Sequence, residues 1–109
     1  MMTSKQYRFC VTEAANYKDM DAYVSDLELS SIWEDDNLTA SRRQALRSVY
    51  AATNRSIREI VSAAGMTQAA FAEAFCIPLR TVENWCTGCR ECPLYTRLMI
   101  QKCLGLLEV

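Results

Sequence analysis

The chain has 109 residues, with 12 lysines and arginines, 13 aspartates and glutamates, and no histidine. This length fits one small domain with an appendage. The lack of histidine excludes Ser-His-Asp triads, Cys-His nucleophile pairs and Cys2His2 zinc fingers built from this chain alone. Its three glycines are too few for a Walker loop or a GxGxxG dinucleotide fingerprint. We therefore expect no enzyme, no catalytic residue and no cofactor.

The N-terminal residues 1–8 lack the apolar run of a signal peptide, and nowhere do about 18 uncharged apolar residues follow one another. We therefore expect a cytoplasmic protein without a membrane partner. Disulfides are rare in that reducing compartment, so we expect free thiols. The six cysteines are Cys10, Cys76, Cys86, Cys89, Cys92 and Cys103.

Charge is divided unevenly along the chain. Residues 1–38 carry three basic and eight acidic side chains, whereas residues 39–109 carry nine basic and five acidic ones. We place a boundary near residue 38, with an acidic extension for partner binding or dimerisation before it and a basic domain after it. A cationic domain suits DNA, because the release of phosphate counterions supplies most non-specific affinity. An ordinary solvated surface explains this modest charge equally well.

The first 38 residues contain one clear helical pattern. Residues 5–11 alternate loosely between apolar and polar side chains, which fits either a short strand or the start of a helix. From Asp19 onward the spacing i, i+3, i+4, i+7 predicts an amphipathic helix with aspartates at its positive end. Its apolar positions are Met20, Tyr23, Val24 and Leu27.

Two further helices are predicted next. Thr39 has the character of an N-cap, and a second apolar stripe follows it. That stripe consists of Ala45, Leu46, Val49 and Tyr50. Ser56 and Glu59 have the spacing of a capping box, and Gly65 suits a left-handed C-terminal cap, so both ends of the next helix are marked. Its apolar stripe consists of Ile57, Ile60, Val61 and Ala64.

The segment from Thr67 to Gly88 predicts two short helices joined by a brief turn. Thr67 can cap the first helix, Pro78 suits the first turn of the second, and Gly88 lies just beyond its end. Two short helices with such a turn, the second with a polar outer face, indicate a helix-turn-helix. The expected core residues are Phe71, Ala72, Phe75, Ile77, Val82 and Trp85. A last helix is predicted from Pro93 to near Gly105, which makes the chain all-α.

Two segments of the sequence together resemble a known family. They are Gly65-Met66-Thr67-Gln68-Ala69-Ala70-Phe71-Ala72, and Ile77-Pro78-Leu79-Arg80-Thr81-Val82-Glu83-Asn84-Trp85 with Gly88 after it. The sequence is similar to the phage lambda repressor and Cro-like helix-turn-helix domains, the xenobiotic-response-element family, over roughly residues 56–105. The resemblance implies a lambda repressor-like bundle over residues 39–109, with a mainly helical N-terminal extension. It also implies a sequence-specific DNA-binding transcriptional regulator, such as a repressor.

The chain departs from the family pattern at three places. Cys76 stands at a turn position usually held by glycine, and a positive φ there would carry about 1 kcal/mol of strain. Cys86 stands where the family often has an acidic residue. The basic loop after Gly88 is diluted by Cys89, Glu91 and Cys92, which would weaken DNA binding.

The resemblance implies that the helix at about residues 78–86 lies in the major groove, with Leu79, Arg80 and Asn84 facing the bases. Arg80 can bond two acceptors of guanine, Asn84 can read adenine, and Leu79 can touch a thymine methyl. Glu83 could accept from cytosine N4 or form an ion pair with Arg80, and we favour the ion pair. The predicted phosphate contacts are Thr67, Gln68, Thr81, Arg90, Tyr95 and Arg97.

The cysteines of the last third form two overlapping CxxC units at Cys86, Cys89 and Cys92. A bacterial ferredoxin run would need a fourth cysteine at position 96, which is threonine. Three thiolates with Cys103 or Cys76 could close a zinc site. We favour loop residues and small buried apolar side chains instead, and therefore expect no metal.

Three functions remain open at this point. The leading one is a DNA-binding regulator acting as a homodimer on double-stranded DNA, because one small module reads few base pairs. An alternative is an antitoxin-type module, whose acidic extension binds a protein partner while the other half autoregulates through DNA. The third is a cysteine-based metal or redox sensor.

Overall fold

The computed structural model describes residues 2–34 and 40–109. Over these ranges the chain forms seven α-helices and no strand, which confirms the all-α prediction. The helices are α1 (Ser4–Ala14), α2 (Met20–Leu27), α3 (Ala40–Asn54), α4 (Ile57–Ala63), α5 (Gln68–Ala74), α6 (Leu79–Thr87) and α7 (Leu94–Cys103). None of the helices in the described ranges has both the length and the apolar character needed to cross a membrane.

The helices belong to two compact units. The N-terminal unit comprises Met1–Asn54 and Leu106–Val109, and the C-terminal unit comprises Arg55–Gly105. The division falls after α3, whereas the boundary predicted near residue 38 precedes it. Helix α3 belongs with the first unit because its buried side chains, such as Leu46 and Val49, face α1 and α2.

Helix α1 settles the open question about residues 5–11. Its N-cap Thr3 accepts a hydrogen bond from the Gln6 backbone N–H at 3.1 Å, and the Gln6 side chain accepts one from the Thr3 N–H at 2.9 Å. This is a capping box, which satisfies two backbone donors that the first turn leaves unpaired. The buried residues Gln6, Cys10 and Ala14 lie four apart, as a helix requires.

Helix α2 follows the predicted pattern. The side chain of Asp19 caps it by accepting from the Ala22 N–H at 2.9 Å, and Tyr23, Val24 and Leu27 are buried. The hydroxyl of Tyr23 donates to the carbonyl oxygen of Cys10 at 2.7 Å, so the buried hydroxyl has a partner. The predicted N-cap of α3, Thr39, lies outside the described residues.

In the C-terminal unit, both predicted ends of α4 are confirmed. The Ser56 hydroxyl accepts from the Glu59 N–H at 3.2 Å, and the Glu59 carboxylate accepts from the Ser56 N–H at 3.0 Å. The hydrogen bond from the Ser56 backbone, and then that from its side chain, lowers the pKa of Glu59. Gly65 follows the C-cap with φ +69°, in the left-handed region that glycine adopts without steric cost.

One apolar core joins the helices of the C-terminal unit. All six side chains predicted for it belong to this cluster: Phe71, Ala72 and Val82 are buried, and Phe75, Ile77 and Trp85 are partly buried. The rings of Phe71 and Phe75 lie 4.9 Å apart, in a tilted arrangement. The cluster also contains Ile57, Ile60, Val61, Cys86, Cys92, Ile100 and Leu104.

A polar network that no sequence pattern predicts joins α7 to Arg55, the residue before the α4 N-cap. Gln101 is fully buried and accepts from the Arg55 guanidinium at 2.8 Å, while its amide donates to the Arg97 carbonyl at 3.2 Å. The Arg97 guanidinium in turn donates to the Arg55 carbonyl at 2.7 Å. A buried amide needs such partners, because leaving it without them costs about 1–3 kcal/mol.

The turn after α5 holds the only non-glycine residue with positive φ in the described chain, Cys76 at φ +55°. The Ile77 N–H donates to the Ala72 carbonyl at 2.9 Å, and the Cys76 N–H donates to the Glu73 carbonyl at 3.3 Å. These two bonds define a Schellman motif, whose left-handed position is usually glycine. The strain anticipated for Cys76 from its position in the sequence is therefore present.

We expect the Cys76→Gly variant to be more stable than the natural chain by about 0.5 kcal/mol, because glycine removes the left-handed strain but loses part of that gain to its greater freedom when unfolded. Urea denaturation measures this difference. The matched control is Cys89→Gly, an exposed cysteine without positive φ, which should not stabilise the chain. Equal effects of the two substitutions would contradict the assignment of strain to Cys76.

Candidate nucleic-acid interface

Helix α6 has one face in the core and one face in solvent. Val82 and Cys86 are buried and Trp85 is partly buried, at the i, i+3, i+4 spacing of a single helix face. These side chains pack where α6 meets α4 and α5. Val82 is fully buried, so it determines which side of α6 faces the core.

Two of the predicted base contacts, Arg80 and Asn84, lie on the side of α6 away from Val82, and the third, Leu79, lies in its first turn. Leu79 is 43% exposed and Arg80 is exposed, while Asn84 is half-buried. Thr81, a predicted phosphate contact on the same helix, is also half-buried. The structure thus places Leu79, Arg80 and Asn84 on one short helix, with the first two open to solvent.

Residues that favour helix ends stand at both ends of α6. Pro78 is the N-cap, and its carbonyl accepts from the Thr81 N–H at 2.9 Å. Gly88 follows the helix with φ +84° in the left-handed region. The Arg90 N–H then donates to the Asn84 carbonyl at 3.2 Å, which holds the chain after α6 against the end of that helix.

The ion pair favoured between Arg80 and Glu83 is not formed. Both side chains are exposed, and in the described part of the chain no salt bridge joins them. The i, i+3 spacing permits such a pair, but its free energy on an exposed helix is only about 0.2–0.5 kcal/mol. This gain is too small to outweigh the side-chain freedom that the pair would remove.

Five of the six predicted phosphate contacts lie outside α6. Thr67 caps α5 by accepting from the Ala70 N–H at 3.1 Å, and Gln68 beside it is exposed. Arg90 is exposed and Tyr95 is 69% exposed. Arg97 differs from them, because it is half-buried and its guanidinium bonds to a backbone carbonyl of the same unit.

The C-terminal unit has a small excess of positive charge. It contains six basic residues and four acidic ones, which gives a formal charge of plus two. The basic residues are Arg55, Arg58, Arg80, Arg90, Arg97 and Lys102, and the acidic ones are Glu59, Glu73, Glu83 and Glu91.

The cysteines of the CxxC units do not share one environment. Cys86 and Cys92 are buried in the apolar cluster, whereas Cys89 between them is exposed. Burial raises the pKa of Cys86, opposed by Arg58, and raises that of Cys92 to about 11, opposed by Arg97. Both thiols therefore stay protonated near neutral pH. Within the described ranges no group of three or more cysteine, aspartate or glutamate side chains is placed to hold a metal ion.

Comparisons of the chain with protein-family models, with curated proteins and with solved structures found no match.

Thiol labelling tests the two cysteine environments. At pH 8 we expect a disulfide reagent to modify three cysteines rapidly and three slowly, because buried neutral thiols react only when the structure opens locally. The fast group is Cys76, Cys89 and Cys103, and the slow group is Cys10, Cys86 and Cys92. Mass spectrometry of the labelled peptides identifies the sites, and all six should react quickly in concentrated urea. Rapid labelling of Cys86 or Cys92 in the native chain would contradict their burial.

Proposed function

We propose that this protein is a sequence-specific DNA-binding transcriptional regulator, in which α5 and α6 form a helix-turn-helix and α6 is the recognition helix. The observation that carries the proposal is the division of α6 into two faces. Val82 and Cys86 hold it against the other helices, Arg80 is exposed on its outer side, and Leu79 is exposed in its first turn. An α-helix fits the width of the major groove, so such an outer face can meet base edges.

The connection between α5 and α6 supports the helix-turn-helix. The chain reverses over Phe75–Pro78 with the two Schellman hydrogen bonds, and Ile77 packs into the apolar cluster. The small Ala72 is buried where α5 and α6 meet, which allows the close crossing that this motif needs. The same residues carry the resemblance to lambda repressor and Cro-like domains.

In this proposal Arg80 reads guanine through two hydrogen bonds to O6 and N7, and Asn84 reads adenine through N6 and N7. Leu79 contacts a thymine methyl group. Each bidentate pair contributes about 1–3 kcal/mol of discrimination against the wrong base. Arg80 is better placed to reach a base, because it is exposed while Asn84 is half-buried.

Contacts to phosphates orient the recognition helix on the duplex. We assign this role to Thr67 and Gln68 at the start of α5 and to Arg90 and Tyr95 after α6, all of which are exposed. We assign Arg97 a bracing role, since it bonds to the Arg55 carbonyl. One such module reads few base pairs, so the protein acts as a homodimer with its two recognition helices about 34 Å apart on double-stranded DNA.

Selection from random duplexes, followed by fluorescence anisotropy, tests the proposal. The full chain should enrich a defined sequence, and its affinity should fall steeply with salt because phosphate contacts release counterions. We expect Arg80→Ala to lower the ratio of specific to non-specific affinity by roughly 5- to 150-fold, the range that corresponds to one lost base contact.

Arg8→Ala is the matched control, since Arg8 is an exposed arginine on α1. It removes the same charge and should leave the ratio unchanged. Circular dichroism should show that both variants keep their helix content. Enrichment of no sequence, or an unchanged ratio in Arg80→Ala, would refute the proposal.

A further inference from the structure

We propose that Glu83 is a specificity-determining residue of α6, whose carboxylate selects cytosine at the base pair next to the one that Arg80 reads. This inference rests on the proposed function and goes one step beyond it, because it assigns an acidic side chain to direct contact with DNA. The chemical partner is the C4 amino group of cytosine in the major groove of a duplex.

The position of Glu83 on α6 supports this role. It is exposed, and it lies three residues after Arg80 and four after Leu79, which places it beside both side chains on the helix surface. Three residues of α-helix advance about 4.5 Å, and one base pair advances about 3.4 Å. A helix that lies along the groove therefore brings Glu83 to the base pair adjacent to that of Arg80.

The surroundings of Glu83 leave its charge without a partner in the protein. In the described residues no hydrogen bond or ion pair holds its carboxylate, and Arg80 does not neutralise it. A carboxylate on a surface that meets DNA is repelled by phosphates, and a hydrogen bond from a base would offset that repulsion in the bound duplex.

Cytosine is the base that offers the carboxylate a hydrogen-bond donor without an acceptor beside it. An ionised carboxylate can only accept hydrogen bonds. In the major groove cytosine presents a donor without an acceptor, adenine presents a donor beside an acceptor, and guanine and thymine present acceptors. Glu83 therefore attracts one base and repels guanine and thymine, and specificity arises partly from rejection of the wrong sequences.

Glu83→Gln tests this inference, because glutamine has nearly the same shape but no charge, and its amide can read adenine. Selection from random duplexes by the natural chain and by Arg80→Ala locates the base pair that Arg80 reads. We expect the natural chain to select cytosine at the adjacent position by about tenfold, and Glu83→Gln to lose this preference and accept adenine. Its affinity for random duplexes should rise several-fold, since the repulsion is gone.

Glu73→Gln is the matched control, since Glu73 is an exposed acid on α5 rather than α6. It makes the same change of net charge and should leave the selected sequence unaltered. If Glu83→Gln still selects cytosine at that position, or if Glu73→Gln loses the preference equally, the inference is wrong. The proposed function would still stand in that case, provided that Arg80→Ala loses guanine. If the natural chain selected no duplex at all, both the proposed function and the inference about Glu83 would be wrong.

Discussion

The burial of Val82 is the constraint on which the arrangement of α6 depends. Val82 is fully enclosed by the apolar cluster of the C-terminal unit, and Cys86 one turn later is buried beside it. Successive residues of an α-helix are turned by about 100°, so one fixed side chain sets the direction of all the others. The exposure of Arg80 and Glu83 thus follows from the packing of residues that would never touch DNA.

The turn before α6 sets where that helix begins, and the chain accepts strain there. Cys76 adopts a left-handed backbone that costs about 1 kcal/mol for a residue with a side chain. The hydrogen bonds of Cys76 and Ile77 to α5 and the partial burial of Ile77 offset this cost. Strain of this size is a substantial fraction of the stability of a small domain.

Local signals in the sequence predicted most of the helices, and non-local contacts accounted for what was missed. The Ser56 capping box and the left-handed Gly65 are short-range features, so both could be recognised. The capping box of Thr3 is equally local, but a loose alternation over residues 5–11 obscured it.

The network around Gln101 joins residues 46 positions apart, which no local pattern reveals. The predicted ion pair between Arg80 and Glu83 does not form, because an i, i+3 spacing permits an exposed ion pair without requiring it.

The most direct test of the account is a titration of the isotope-labelled chain with a selected duplex, followed by amide chemical shifts. If α6 lies in the major groove, the largest changes should fall on residues 79–84, with smaller ones at residues 67–68 and 90. The amides of α1 and α2 should change little. Changes confined to residues 4–34, with α6 unaffected at saturation, would contradict the claim that α6 presents its outer face to DNA.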